Sequence, residues 1–222
     1  MRIAYPAFDE AIELCENKIS VIVIENQDLF VRFQEEMDKQ LSGLDGSIVI
    51  SEGDKEYPVA KTIDIISSFV PFEICTKANL NRVVKGLSKN AYDEEMLSLT
   101  MDIQTAIMRY IGRLCDVVDI PIAFDEPSID GLLKTVNLAV DVKCDTLEEK
   151  ILEYMHVKRE VEGERVFILV NLRSYIPDKR LEKLYETIIV SKYRVILLES
   201  MQRERLNYEK YHIIDSDLCV IQ

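Results

Sequence analysis

Val166-Phe167-Ile168-Leu169-Val170 and Val195-Ile196-Leu197-Leu198 decide the fold. Near-continuous runs of β-branched residues and leucine are what strands covered on both faces require, and such strands belong to parallel sheets. Between the two runs, Pro177 precedes Asp178 to Val190, where Leu181, Leu184, Tyr185 and Ile188 recur at helical spacing. Strand, helix, strand in this order reads as a right-handed crossover unit. Working outward, a third run, Ile19-Ser20-Val21-Ile22-Val23-Ile24, is followed by Gln27 to Leu41 with Leu29, Phe30, Phe33 and Met37 as a helical stripe. Ser47 to Ser51 and Lys61 to Ile65 read as further strands, and Asp217 to Gln222 as an edge.

The middle of the chain has another rhythm. From Asp93 to Val118, the residues Met96, Leu99, Ile103, Ile107, Tyr110, Leu114 and Val118 recur every three or four positions, which predicts one long amphipathic helix. Asp93, Glu94 and Glu95 open it with charges suited to a helix N-terminus. Ser128 to Val136 reads as a short helix, and Thr146-Leu147-Glu148-Glu149 as a capping box that starts another, ended by Gly163. The expected architecture is α/β: residues 1–75 and 163–222 form a head domain with a central, largely parallel sheet, and residues 76–162 an inserted all-helical leg domain.

The chain has 222 residues, 48% of them hydrophobic and 30% charged, which is a globular balance rather than a disordered one. No apolar stretch approaches the roughly 20 residues of a membrane span, and no signal-peptide h-region is present, so a cytoplasmic location is expected. The five cysteines are odd in number and form no C-x-x-C pair, which argues against a disulfide framework or a thiolate zinc site. The formal net charge is −13. That balance opposes nucleic-acid binding unless the cations are gathered on one face.

Few residues suggest catalysis. The turn after Ile24, Glu25-Asn26-Gln27-Asp28, is where a phosphate-binding loop would sit, yet it has no glycine, no lysine and two acids. Glu199 follows Val195 to Leu198 like the acid that ends a magnesium-binding strand, although a polar residue where a buried strand surfaces is the favoured reading. His156 and His212 have no nucleophile at a recognisable spacing. Asp116 and Asp119 lie three apart at the end of the long helix, and the Ile120-Pro121-Ile122 bend brings Asp125 and Glu126 back toward them. Clustered carboxylates without histidine or thiolate suit calcium or magnesium. Spacing alone favours the plainer alternative, in which Asp125 or Ser128 caps the next helix and Asp116 is solvated.

A second feature is basic. Between Ile74 and Tyr92 there is no acid, while Lys77, Arg82, Lys85 and Lys89 all fall there. The last three are spaced so that a helix presents them on one face. An ordinary solvated helix face accounts for this equally well, and Lys55, Lys61 and Lys134 join the patch if the fold brings them close.

Order and spacing together resemble a known family, the small ring-forming, DNA-end-binding protein of type II-A CRISPR spacer acquisition. The resemblance is carried by Phe8-Asp9-Glu10-Ala11-Ile12 within an opening hairpin from Ile3 to Leu14, and by Ile19 to Glu25 followed by a helix. It is carried further by Phe124-Asp125-Glu126-Pro127-Ser128-Ile129 before Leu132-Leu133-Lys134, and by Phe167 to Asn171 and Val195 to Glu199. It implies a degenerate P-loop-like head without an ATPase motif, and a helical leg. It implies a homotetramer whose lysine-lined hole encircles double-stranded DNA loaded at ends, calcium ions near the hinges, and work beside the CRISPR integrase proteins and the RNA-guided nuclease in antiviral defence. Asp119, Asp125 and Glu126 match acidic hinge positions of the family, Asp116 has no such match, and Lys134 fits a basic one.

The expected function is therefore non-catalytic, sequence-independent DNA binding that supports spacer acquisition. Two alternatives stand beside it: a divergent nucleotide hydrolase using Glu199 with a metal, and an adaptor whose leg docks a protein and never touches DNA.

Overall fold

The computed structural model describes residues 1–221 and divides into two compact units, Met1–Ile74 with Cys144–Gln222, and Cys75–Lys143. The larger unit begins with β1 (Arg2–Ala4), β2 (Ile12–Glu13), β3 (Ile19–Ile24), α1 (Gln27–Leu41), β4 (Val49–Glu52), β5 (Lys55–Tyr57), α2 (Val59–Thr62) and β6 (Ile63–Ile66). The smaller unit contributes α3 (Lys77–Asn90), α4 (Glu94–Cys115) and α5 (Ile129–Thr135). The chain then returns through α6 (Leu147–Glu162), β7 (Val166–Val170), a 3₁₀ turn at Leu172–Ser174, α7 (Asp178–Val190), β8 (Arg194–Glu199), β9 (Glu209–Ile214) and β10 (Val220–Ile221).

The six-stranded sheet runs β10-β9-β3-β8-β7-β6, all parallel apart from the β10–β9 pair. A four-stranded antiparallel sheet, β2-β1-β4-β5, accompanies it. Successive side chains of a strand point to opposite faces, and both faces are covered here, so the central strands are apolar at nearly every position. Ile19, Val21 and Val23 of β3, with Phe167, Leu169, Val195 and Leu197, pack against Ile151 and Met155 of α6 and Leu181, Leu184, Tyr185 and Ile188 of α7. Ile22, Ile24, Ile168, Ile196 and Leu198 face the other way, toward Leu29, Phe33 and Met37 of α1 and Ile3, Ile12 and Ile50 of the smaller sheet.

Three expectations change. The leg was expected to run to residue 162, but α6 belongs to the unit that holds the sheet. Its capping box forms as read, with Thr146 and Glu149 bonding reciprocally and Gly163 ending the helix at φ 81°. A cap is worth about 1 kcal/mol, whereas fully burying one large apolar side chain is worth about 1.5–3 kcal/mol. Ile151 and Met155 are both 0% exposed, so burial decides where α6 belongs. Lys61 lies in α2 rather than in a strand, because β6 starts only at Ile63. The sixth strand, β9, was not expected: Lys210 and His212 break its apolar pattern, yet Ile19 to Ile24 pair with Glu209 to Ile214 along its whole length. Among the described residues no helix is long and apolar enough to cross a membrane.

Candidate nucleic-acid interface

The smaller unit carries the basic stretch. Thr76 caps α3 by accepting the Asn79 N–H, and the helix runs to Asn90 before the first acid, Asp93, appears. At about 100° per residue, Arg82, Lys85 and Lys89 fall within an arc of roughly 60°. Lys77 stands in the first turn, where the macrodipole disfavours a cation. Helix stability does not account for a lysine there. All four side chains are exposed, and Lys77, Lys85 and Lys89 make no ion pair among the described residues. Lys134, at the end of α5, forms an i,i+4 ion pair with Asp130. Both partners are exposed, and such pairs contribute little, so the ammonium remains exchangeable. Lys55 and Lys61 belong to the larger unit: Lys55 Nζ sits 4.9 Å from the centroid of the Tyr57 ring, and Lys61 is exposed on α2. The structure thus brings together Lys77, Arg82, Lys85 and Lys89 on one helix, with Lys134 on α5, which packs against it.

The same unit is poorly covered. Its buried residues are Asn79, Val84, Thr100, Gln104 and Ile129. On α4 two polar residues point inward: the Thr100 hydroxyl donates to the Ala91 carbonyl at 2.7 Å, and the Gln104 amide to that of Pro127 at 3.0 Å. The expected apolar stripe lies largely outside instead, with Met96 45%, Leu99 53%, Ile103 43%, Tyr110 64% and Leu114 51% exposed. An apolar stripe of this length on a helix is the mark of an interaction surface rather than of a solvated face.

The carboxylates read as a hinge cluster do not converge. Asp116 is the C-cap of α4, Asp119 follows in the bend after it, and Asp125 and Glu126 lie in irregular chain before Ser128, which caps α5 by accepting the Gly131 N–H at 3.1 Å. All four are exposed, and no group of three metal-ligating side chains forms among the described residues. Calcium takes six to eight oxygens. Within one chain these residues do not fit it.

The larger unit holds its acids differently. Glu199 was read as surfacing at the end of its strand; it is 2% exposed and accepts the Arg173 N–H at 3.1 Å. Burial, set against that bond and the nearby Arg203 and Arg173, pushes its carboxyl up to about 7. Arg173, itself 4% exposed, donates to the Tyr211 hydroxyl at 2.6 Å and to Asp178 at 3.1 Å, with Glu209 at 3.6 Å. Glu199 is therefore engaged within the fold. The turn after β3 is engaged as well: Asn26 caps α1 by accepting the Leu29 N–H, and Glu25 accepts the Gln202 N–H at 3.3 Å. His156 is exposed on α6 and His212 half-buried on β9.

A family model described as CRISPR-associated protein (Cas_Csn2) matches residues 40–218. The CRISPR-associated protein Csn2 of Streptococcus agalactiae is 22% identical over 229 residues, covering 100% of this chain and 97% of the relative. That of Enterococcus faecalis is 20% identical over 202 residues, covering 90% of each. The crystal structure of Stu0660 of Streptococcus thermophilus superposes with a TM-score of 0.59 at 15% identity, covering 97% of this chain and 74% of that one, and so shares the fold. With four fifths of its length inside the family model and relatives matched nearly end to end, the chain belongs to the Csn2 family of CRISPR-associated proteins.

Proposed function

We propose that this protein is a non-catalytic, sequence-independent binder of double-stranded DNA ends that acts as a homotetrameric ring in type II-A spacer acquisition, beside the CRISPR integrase proteins and the RNA-guided nuclease. The observation that carries the reading is the acid-free stretch from Ile74 to Tyr92, whose cations stand exposed on α3 in a chain of net charge −13. Cations set apart from carboxylates along the chain can displace the counterions of a phosphate backbone. Assembly is supported by the apolar stripe of α4, which a second copy would cover. The head is a degenerate P-loop-like fold in this reading. The glycine-free turn after β3, with its helix end already capped by Asn26, supports a head that holds no nucleotide. Calcium would find its ligands only when copies meet, because the described residues of one chain do not gather them.

Gel shifts of linear against covalently closed duplex, each with calcium and with chelator, test the proposal. Linear DNA is expected to bind, closed circles are not, and chelator is expected to weaken the complex. Equal retention of closed circles overturns end loading, and indifference to chelator removes calcium. Replacing Lys77, Arg82, Lys85 and Lys89 by glutamine should flatten the dependence of log K on log salt by about 0.9 for each phosphate that is no longer neutralised. An unchanged slope removes α3 from the interface.

A further inference from the structure

Among the described residues, one bare strand edge and one only partly paired edge of the larger unit border the same cleft. Among the described residues β10 pairs only with Ile213 and Ile214 of the six-stranded sheet, so Glu209 to Tyr211 have no described strand on their outer side. In the smaller sheet β2 is an edge. Ile12 and Glu13 of β2 and all of β9 line the same cleft, whose volume is about 800 Å³. That lies within the range of ligand sites. The backbone direction follows from the ladder: the Ile19 N–H donates to the Tyr208 carbonyl and the Glu25 N–H to that of Ile214, both at 2.9 Å. Even-numbered residues therefore bond β3, and the peptide groups of Tyr211 point to the open side.

The walls differ in charge. Asp9, Glu10 and Glu13 stand on the hairpin side with one cation, Arg2. Lys18, Arg205 and Lys210 stand opposite with one acid, Glu209, and that carboxylate is turned inward, accepting the Tyr185 hydroxyl at 2.7 Å. Among the described residues no ion pair joins the two walls. Between them lie the apolar side chains of Ile12, Ile22 and Ile214 and the half-buried ring of His212, whose Nε2 is buried without a partner. A buried polar atom without a partner calls for water or a bound group to satisfy it.

We infer that this cleft takes an extended peptide segment of a partner protein, which pairs with β9 beside Tyr211 and alternates apolar with charged side chains. Main-chain bonds to an open strand edge supply affinity in this mode, and alternate side chains supply the choice of partner. Apolar residues of the segment meet Ile12, Ile22 and Ile214. Lysines and glutamates between them meet the acidic and the basic wall.

The test uses the full chain and a short capped, fluorescein-labelled peptide alternating valine with lysine and glutamate, beside a peptide of the same composition with apolar and charged residues in separate blocks. Saturable anisotropy is expected for the alternating peptide alone, with slowed amide hydrogen exchange at Tyr211. Lys18→Glu combined with Lys210→Glu, both exposed, should weaken binding about fivefold or more, the scale of a rim charge pair. The oligomeric mass should not change. Equal binding of the block peptide, unaltered exchange at Tyr211, or undiminished binding by the double variant each overturns the inference. A fall in oligomeric mass on adding peptide overturns it too, since a second copy would then be the occupant.

Discussion

Glu199 ends β8 after Val195, Ile196, Leu197 and Leu198, and its carboxyl lies inside the fold rather than at its surface. Folding raises the carboxyl to about 7 from the 4.5 it would have when solvated, so the folded state keeps a proton that the unfolded chain releases. The stability this supplies is complete below the unfolded value and is lost as pH rises toward 7. Its full size is roughly 3 kcal/mol. His212, held below its ordinary value by burial and then by Lys210, works in the opposite sense, so the comparison must be between variant and parent. Glu199→Gln keeps an acceptor for the Arg173 N–H and should abolish the loss between about pH 5 and 8, read as urea unfolding free energies at several pH values. Parallel pH curves for the two proteins would mean that Glu199 is ionised in the folded state. Sequence alone named Glu199 but misplaced it, because a strand's last residue is exposed or buried according to what the following turn lays over it.

Helix α4 carries the next prediction. Its stripe at Leu99, Ile103, Tyr110 and Leu114 has the spacing of a core-facing side, and here the period was legible while the partner was not. Leu99→Glu with Ile103→Glu puts charges on two exposed positions, so the single chain should fold with little change in stability. Assembly should suffer: sedimentation should show a smaller species at equal protein concentration. An unaltered mass would assign the stripe to something other than a second copy. The elements that could be read directly were those in which burial and local chemistry agree. β3, β7 and β8 are continuous apolar runs, α7 follows Pro177, and α6 opens on its capping box. β9 escaped because, among the described residues, β10 covers only part of its outer edge and part of one face is exposed, which tolerates Lys210 and His212 and erases the pattern. The hinge acids show the converse: Asp116, Asp119, Asp125 and Glu126 are close in sequence, but proximity along a chain does not aim side chains at one point.

At the scale of the molecule, every residue of both apolar cores comes from residues 1–74 or 144–222. The larger unit therefore owns its stability. Replacing residues 75–143 by a short glycine-serine linker should leave a protein that unfolds cooperatively, seen as a single calorimetric transition. The excised segment alone, with five buried residues of which three are polar, should show no such transition as a monomer. A molten product from the deletion would mean that the leg completes the core.

The central strand also has a history. Ser20 of β3 pairs with Ile196 of β8 and with Lys210 of β9, so both neighbours of the first strand of the six-stranded sheet are made late. A ribosome releases β3 long before either exists. Contacts so distant along the chain form slowly, and uncovered apolar strands are hazards while they wait. The length of the inserted leg thus also lengthens the delay during which β3 waits uncovered for both of its neighbours.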